Sequence, residues 1–234
     1  MKPPPAIAPG ADPGPGPTPE QISYLLGLIF GAQMHATGIG SESVMSEAVD
    51  RGIKDGLQGK QPTPADQQQV QAYARSMTEA MAARNASAAK DFLARNGKQR
   101  GIVTTASGLQ YKILAAGEKK APPILPADTV TVDYRGKLMN GTEFDSSYSR
   151  GMPATFPVNG VIKGWQEALV LMKPGAKWQL FVPPELAYGP RSKAKIPPNS
   201  LLIFDVNLES VEPANAPPKA PPGTPPPHAP VQHK

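Results

Sequence analysis

Three short stretches bring together residue types that could form a site: Val-Asp-Tyr-Arg-Gly at 132–136, Asn-Gly-Thr-Glu-Phe-Asp-Ser-Ser at 140–147 and Val-Ile-Lys-Gly-Trp at 161–165. Val130, Val132 and Tyr134 alternate with Thr131, Asp133 and Arg135, the period of a strand with one buried face. Asn140-Gly141 is a strong hairpin signal, because both residues tolerate the positive φ of a two-residue primed turn. The return strand then carries Asp145 close to Tyr134. Gly160 and Gly164 bracket a short apolar segment at a helix start, which adds Val161, Ile162 and Trp165. The expected result is an aromatic-lined, half-buried hollow with one carboxylate at its edge.

Other catalytic patterns fail on spacing. The three histidines, His35, His228 and His233, are scattered, which argues against a metal triad or a Ser-His-Asp arrangement. Gly38-Ile39-Gly40 begins like a dinucleotide-binding turn but lacks the third glycine and a preceding strand, and His35 reads as a helix-end residue. Cysteine is absent, so neither disulfides nor thiolate chemistry is available. No metal or cofactor is expected.

Phe144-Asp145-Ser146-Ser147, Val161-Ile162-Lys163-Gly164-Trp165, Ala187-Tyr188-Gly189 and Ile196-Pro197-Pro198-Asn199-Ser200 through Phe204-Asp205-Val206 stand in the order and spacing of a known family. They resemble the FKBP-type peptidyl-prolyl cis-trans isomerases over roughly residues 101–211. The resemblance implies that Tyr134, Phe144, Val161, Ile162, Trp165 and Phe204 line a proline pocket with Trp165 as its floor, and that Phe156 and Ile196 add to the substrate surface. It also implies that the Ile162 N–H and the Tyr188 hydroxyl donate to substrate carbonyls, that Asp145 orients or electrostatically assists the amide, and that Arg150 pairs with Asp145. On this resemblance the catalytic group is Asp145, Tyr188, Ile162, Tyr134 and Phe144.

The chemistry so implied is physically modest. Rotation about an Xaa-Pro amide loses resonance at the top of its barrier and takes tens to hundreds of seconds uncatalysed. No bond need break. An environment that binds the twisted amide better than the planar one suffices: water removed, proline held by shape, a hydrogen bond to the carbonyl. Such a site needs aromatic walls and a few placed donors, and no nucleophile. Two departures from the family pattern stand out. Ala154 takes a position where many members place an aromatic wall, with Phe156 two residues on, and the 189–196 loop carries Arg191, Lys193 and Lys195 in place of a more apolar segment. Both bear on substrate preference and on macrolide inhibitor binding, which the resemblance also implies. Trp178 and Phe181 match no site motif and read as packing residues.

The elements that must position this hollow are of two kinds. The 234 residues allow one large or two modest domains, and the formal charge of +5 is spread thinly, with no block of like charge to suggest nucleic acid or an anionic membrane. Of 30 prolines, 8 lie in residues 1–19 and 9 in residues 213–230, composition that marks a disordered leader (1–19) and tail (213–234). Residues 101–212 read as strands over 109–114, 129–138, 177–182 and 201–208 with one short helix near 165–171. This gives an α+β class in which a curved antiparallel sheet wraps one helix, the same half-barrel that the family resemblance implies.

Ahead of it lies an all-α region. Pro19-Glu20 opens an apolar helix over 22–34 that lacks the basic flank of an export signal and is too short to span a bilayer, and Gly38-Ile39-Gly40 ends it. Gly27 and Gly31 would let a neighbouring helix come close. A second helix is expected from Ser41, with Val44, Ala48, Val49, Ile53 and Leu57 on one face, stopping near Gly59. Thr63-Pro64-Ala65-Asp66 starts a third that runs to about Arg95 as a linker (63–100), about 50 Å if unbroken. Residues 20–62 and the thin rod that follows, roughly 80 residues in all, have little with which to form a core, which argues for oligomerisation. Ser23-Tyr24-Leu25-Leu26-Gly27 and Gly56-Leu57-Gln58-Gly59-Lys60 resemble helix motifs of the Mip-like (macrophage infectivity potentiator) subgroup. That resemblance implies a homodimer through the first two helices, proline-containing polypeptide clients, and action in the bacterial periplasm or at the cell surface if a signal was removed, the alternative being the cytoplasm. The competing expectations are an intramolecular helical cap on the sheet, and a chaperone or proline-segment binding module with little isomerase activity.

Overall fold

The computed structural model describes residues 18–36, 40 and 44–215. Most of the proline-rich leader and tail, and the Gly38-Ile39 stop, lie outside them. The chain separates into two compact units, one ending at Glu79 and the other beginning at Ala80, with the boundary inside a helix.

In the first unit, α1 (Pro19–Ala36) starts at a capping box: the Thr18 hydroxyl accepts the Gln21 N–H at 3.2 Å, and the Gln21 side chain accepts the Thr18 N–H at 2.9 Å. Helix α2 spans Ser46–Leu57, five residues later than expected from Ser41. Its first carbonyl acceptor is Met45, so Val44 lies ahead of the helix, and Ala48, Val49, Ile53 and Leu57 remain as its apolar face. Gly59, at φ +91°, turns the chain beyond it. Helix α3 (Pro64–Asn96) begins where expected. Asp66 accepts from both the backbone and the hydroxyl of Thr63, and the Asp66 N–H returns to that hydroxyl.

In the second unit the strands are β1 (Ile102–Thr104), β2 (Gln110–Ala116), β3 (Thr129–Leu138), β4 (Glu143–Ser146), β5 (Ala154–Pro157), β6 (Ala176–Val182) and β7 (Leu202–Glu212), with α4 (Lys163–Leu171) between β5 and β6. All pair antiparallel in the order β1-β2-β6-β7-β3-β4, and β5 pairs with the other end of the same β3 edge. Sequence periodicity gave no sign of β1 or β5, three and four residues long, while β4 is the return strand expected from the hairpin.

The hairpin between β3 and β4 is longer than the two-residue primed turn expected. Gly141 N–H returns to Leu138 at 2.9 Å and Leu138 N–H to Thr142 at 2.9 Å, so Met139, Asn140 and Gly141 form a three-residue loop. Only Gly141 needs positive φ (+86°). The Asn140 side chain instead accepts the Thr142 N–H at 3.0 Å, and the extra residue shows as a register shift after Gly136.

The core is the concave face of this sheet closed by α4. Val130, Val132, Leu180, Val182, Leu202, Val206 and Leu208 are each at most 1% exposed, and α4 adds Trp165, Ala168 and Leu169. The alternation in β3 and β7 turns every second side chain toward that helix. On the opposite face of β6, Phe181 meets Phe92 of α3 at 5.8 Å between ring centroids, while buried Asn96 donates to Gln110 at 2.9 Å and Gln110 donates to the Leu93 carbonyl. Trp178 stacks on Tyr111 at 4.2 Å. Both Trp178 and Phe181 are thus packing residues, as the sequence suggests.

Helix α4 reaches the sheet because residue 164 has no side chain. A Cβ there would stand 2.5 Å from a Val182 methyl. Gly164→Ala is expected to lower the unfolding free energy by about 1–3 kcal/mol in urea denaturation, the usual cost of overpacking. A midpoint equal to wild type would refute this docking.

Candidate functional site

Helix α4 positions the floor of the site. Ile162 is its N-cap, in extended backbone, and its carbonyl accepts the Trp165 and Gln166 N–H groups. The Ile162 N–H itself has no partner among the described residues. One turn into the helix, Trp165 is 4% exposed and is ringed edge-on. Its ring lies 5.2 Å from Tyr134 of β3, 5.2 Å from Phe204 of β7 and 6.3 Å from Phe156 of β5, at interplanar angles of 81–90°. Phe144 of β4 meets Phe204 at 5.6 Å, also edge to face. Such contacts align the positive ring edge with the negative face of its neighbour.

Strand β3 can carry both aromatic walls only because residue 136 is glycine. A Cβ at Gly136 would meet Phe144 at 2.7 Å and Phe204 at 2.8 Å. The Val-Asp-Tyr-Arg-Gly stretch therefore holds a wall residue and the space for two more.

The hollow, open to solvent, has a volume of about 370 Å³ and is lined by Tyr134, Phe144, Asp145, Phe156, Gly160, Val161, Ile162, Trp165, Tyr188, Lys193 and Phe204. A second hollow of about 350 Å³, beside Asn85, Leu138, Met139 and Leu201, has no titratable side chain and no aromatic ring in its lining, so the first is the candidate site. No serine, threonine or histidine lines the first hollow. Gly160 and Lys193 are the lining residues that sequence reasoning missed. The basic 189–196 loop was the available signal for Lys193.

Two residues expected at the site, Ile196 and Arg150, do not line the hollow, although Arg150 pairs with Asp145 as the resemblance implies. Ile196 is 6% exposed and packs into the core, its backbone paired with Lys193 across a tight turn. Arg150 stands behind the wall. It donates to Asp145 at 2.5 Å and to the Tyr134 hydroxyl at 2.8 Å, and that hydroxyl donates to the other Asp145 oxygen at 2.5 Å. The Asp145 charge is thus already matched within the protein. Ala154, beside β3 at Val132, leaves the wall to Phe156.

The triad has a defined electrostatic state. Burial alone would raise the Asp145 carboxyl, but the Tyr134 hydrogen bond and the Arg150 hydrogen bond and charge outweigh it and hold Asp145 below its ordinary 3.8. Burial, and then the bond to Asp145, push the Tyr134 phenol above 10.0, with Arg150 opposing. Asp145 is therefore ionised and Tyr134 neutral across the physiological range. The Asp145 contribution to stability is full above the ordinary carboxylate value and is lost as pH falls through its lower folded value.

Behind the triad, Ser147 is fully buried and ties the two strands together. Its hydroxyl accepts the Tyr134 N–H at 2.9 Å and donates to Asp133 at 2.7 Å, and its own N–H goes to the Tyr134 carbonyl at 3.0 Å. Ser147→Ala leaves a buried amide without an acceptor and is expected to cost about 1–3 kcal/mol in urea denaturation. Ser149→Ala, which removes only an exposed bond to Glu143, is expected to stay within about 0.5 kcal/mol. Equal losses would contradict the role of Ser147.

The wall opposite is Tyr188 and the loop that follows. The Tyr188 hydroxyl has no hydrogen-bond partner among the described residues. The loop is pinned to α3 by Asn85, which donates to the Pro198 carbonyl at 2.8 Å, and by Asn199, which donates to the Ala82 carbonyl at 3.2 Å. The arrangement thus presents a greasy floor, aromatic walls, a neutralised carboxylate and two free donors.

Residues 122–209 match the family described as FKBP-type peptidyl-prolyl cis-trans isomerase, and residues 19–113 match the domain amino-terminal to it. The FKBP-type 22 kDa peptidyl-prolyl cis-trans isomerase of Escherichia coli K12 is 45% identical over 199 residues, covering 80% of this chain and 93% of that protein. The outer membrane protein MIP of Legionella longbeachae is 40% identical over 206 residues, covering 83% and 86%. The crystal structure of FkpA from Escherichia coli matches with a TM-score of 0.63 at 36% identity, over 84% of this chain and 98% of that one. With both segments matched in order, and a relative covered over nearly its whole length, this chain belongs to the FKBP-type peptidyl-prolyl cis-trans isomerases.

Proposed function

We propose that the hollow over Trp165 accelerates cis-trans isomerisation of Xaa-Pro bonds in polypeptide clients by non-covalent stabilisation of the twisted amide. The observation that carries this reading is the pairing of an apolar cage with two unused donors, the Ile162 N–H and the Tyr188 hydroxyl. Proline fills the cage against Trp165, and closure over Val161 and Phe156 removes the water that favours the polar planar amide. The donors hold the flanking carbonyls, bonds that help most when the carbonyl turns out of conjugation. Asp145, locked by Tyr134 and Arg150, supplies a fixed field beside the rotating bond and keeps the Tyr134 ring upright. A macrolide inhibitor would compete for the same cage.

Exchange NMR on a Leu-Pro peptide tests the proposal. Tyr188→Phe and Asp145→Ala are each expected to lower kcat/KM by up to about tenfold, the worth of one well-placed hydrogen bond. Because Asp145 is held below its ordinary value and Tyr134 above its own, neither changes charge near neutrality, and the wild-type rate should be flat between about pH 5 and pH 9. Catalysis no faster than background, or a bell centred near neutral pH, would refute the mechanism.

The helical segment 20–62 serves, on the same reading, to join two copies. Tyr24 is 70% exposed, Leu26 62% and Ile29 56%, and no described side chain of α1 or α2 is buried within the chain. A helix apolar on all sides needs a partner to cover it. A second copy satisfies both protomers at once through a two-fold interface. Light scattering should report a dimer for the full chain and a monomer for residues 61–234; an unchanged oligomeric state would move the interface elsewhere. Envelope localisation belongs to the same proposal. The Legionella relative is named an outer membrane protein, and no described helix here is long and apolar enough to cross a membrane.

A further inference from the structure

The charge lining the hollow does not balance. Asp145 is the one acid in the lining, and Arg150 already neutralises it from behind. Lys193 is the one base in the lining. The ion pairs among the described residues join Lys54 to Asp50, Lys60 to Asp55, Arg135 to Glu143 and Arg150 to Asp145, which leaves Lys193 with no carboxylate.

Its position is fixed by more than chance. The Lys193 and Ile196 backbones exchange both hydrogen bonds, at 2.9 and 2.8 Å, and Ala194 takes a φ of +47° to close the turn. Buried Ile196 anchors that turn to the core. The Lys193 ammonium then lies 4.7 Å from the centre of the Tyr188 ring, within cation–π range. The cation is therefore held over the ring whose hydroxyl is proposed to grip the substrate backbone. Arg191 and Lys195 stand on the same loop and are exposed, but neither lines the hollow.

We infer that Lys193 makes this site selective for proline segments that carry an acidic side chain immediately beside the proline. The inference rests on the isomerase reading of the hollow. With proline seated on Trp165, the neighbouring side chain passes the rim at Tyr188, where a carboxylate meets an ammonium that has no carboxylate partner among the described residues and a basic neighbour is repelled. Lys193 is exposed, so the gain is that of a surface ion pair: about three- to fivefold in kcat/KM for Glu over Gln, and the reverse for Lys.

Exchange NMR on paired peptides that place Glu, Gln or Lys directly before or directly after one proline provides the test, with each catalysed rate divided by its own uncatalysed rate. The Glu-to-Lys ratio should exceed one at one of the two positions and fall toward one at high salt. It should invert in Lys193→Glu and persist in Lys195→Glu, which changes the loop charge equally without touching the hollow. A wild-type ratio of one at both positions would overturn the inference while leaving the isomerase intact, as would equal inversion by both variants, which would mark a diffuse loop field. No catalysis on any peptide would overturn the isomerase reading, and this inference with it.

Discussion

The structure depends on how closely the first turn of α4 approaches β6. Without a Cβ at residue 164, the helix backbone rests against the Val182 methyls, and this depth sets the height of Trp165 beneath the sheet edge. At that height the indole meets Tyr134, Phe156 and Phe204 edge-on from three different strands. A helix held farther out by even one methyl group would lift the floor into the space that proline is proposed to occupy. Gly136 solves the matching problem on the wall, where Phe144 and Phe204 cross over β3. Two missing side chains thus make room for five aromatic rings.

Electrostatics then limits what this cage can do. A lone carboxylate at an apolar rim would drift toward its neutral form or capture a cation from solvent. Arg150 and the Tyr134 hydroxyl prevent both, because each Asp145 oxygen already accepts a short hydrogen bond. A carboxylate so engaged is a poor base and a poor nucleophile. That agrees with a reaction in which no proton is transferred and no covalent intermediate forms, and leaves Asp145 as a fixed part of the wall. Ser147 extends the same order into the backbone by holding the Tyr134 amide, which explains why Phe-Asp-Ser-Ser acts as a unit.

Much of this was legible because it lies in regular elements. Alternation fixed the inner face of β3, and the Thr63-Pro64-Asp66 cap fixed the start of α3. The adjacency of Tyr134 and Asp145 followed from the hairpin, even though its loop has three residues and not two. That error is informative: Asn140 found a better use for its side chain, accepting the Thr142 N–H, than for a left-handed backbone. The late start of α2 has a similar cause, since an apolar period continues through Val44 whether or not the backbone there is helical. Ile196 and Lys193 were hard to place because the orientation of a loop side chain depends on a local turn and carries no periodicity. The polar residues that fix the last turns of α3 within the second unit, Asn85 and Asn96, give no signal at all, because a polar helix face looks the same in sequence whether it meets water or a sheet.

The floor and the far wall of the hollow are held by different forces, and this separates chemistry from selectivity. Tyr134, Trp165 and Phe204 belong to β3, α4 and β7, so displacing any of them breaks ladder bonds or core packing. Tyr188 and Lys193 belong to a loop held by a few side-chain bonds, from Asn85 to Pro198 and from Asn199 to Ala82, and by one buried isoleucine. Loop residues can change without costing the sheet its register. A family that keeps one reaction while varying its clients would therefore concentrate its differences on this loop, where a charge such as Lys193 alters what is bound but not how the amide is turned.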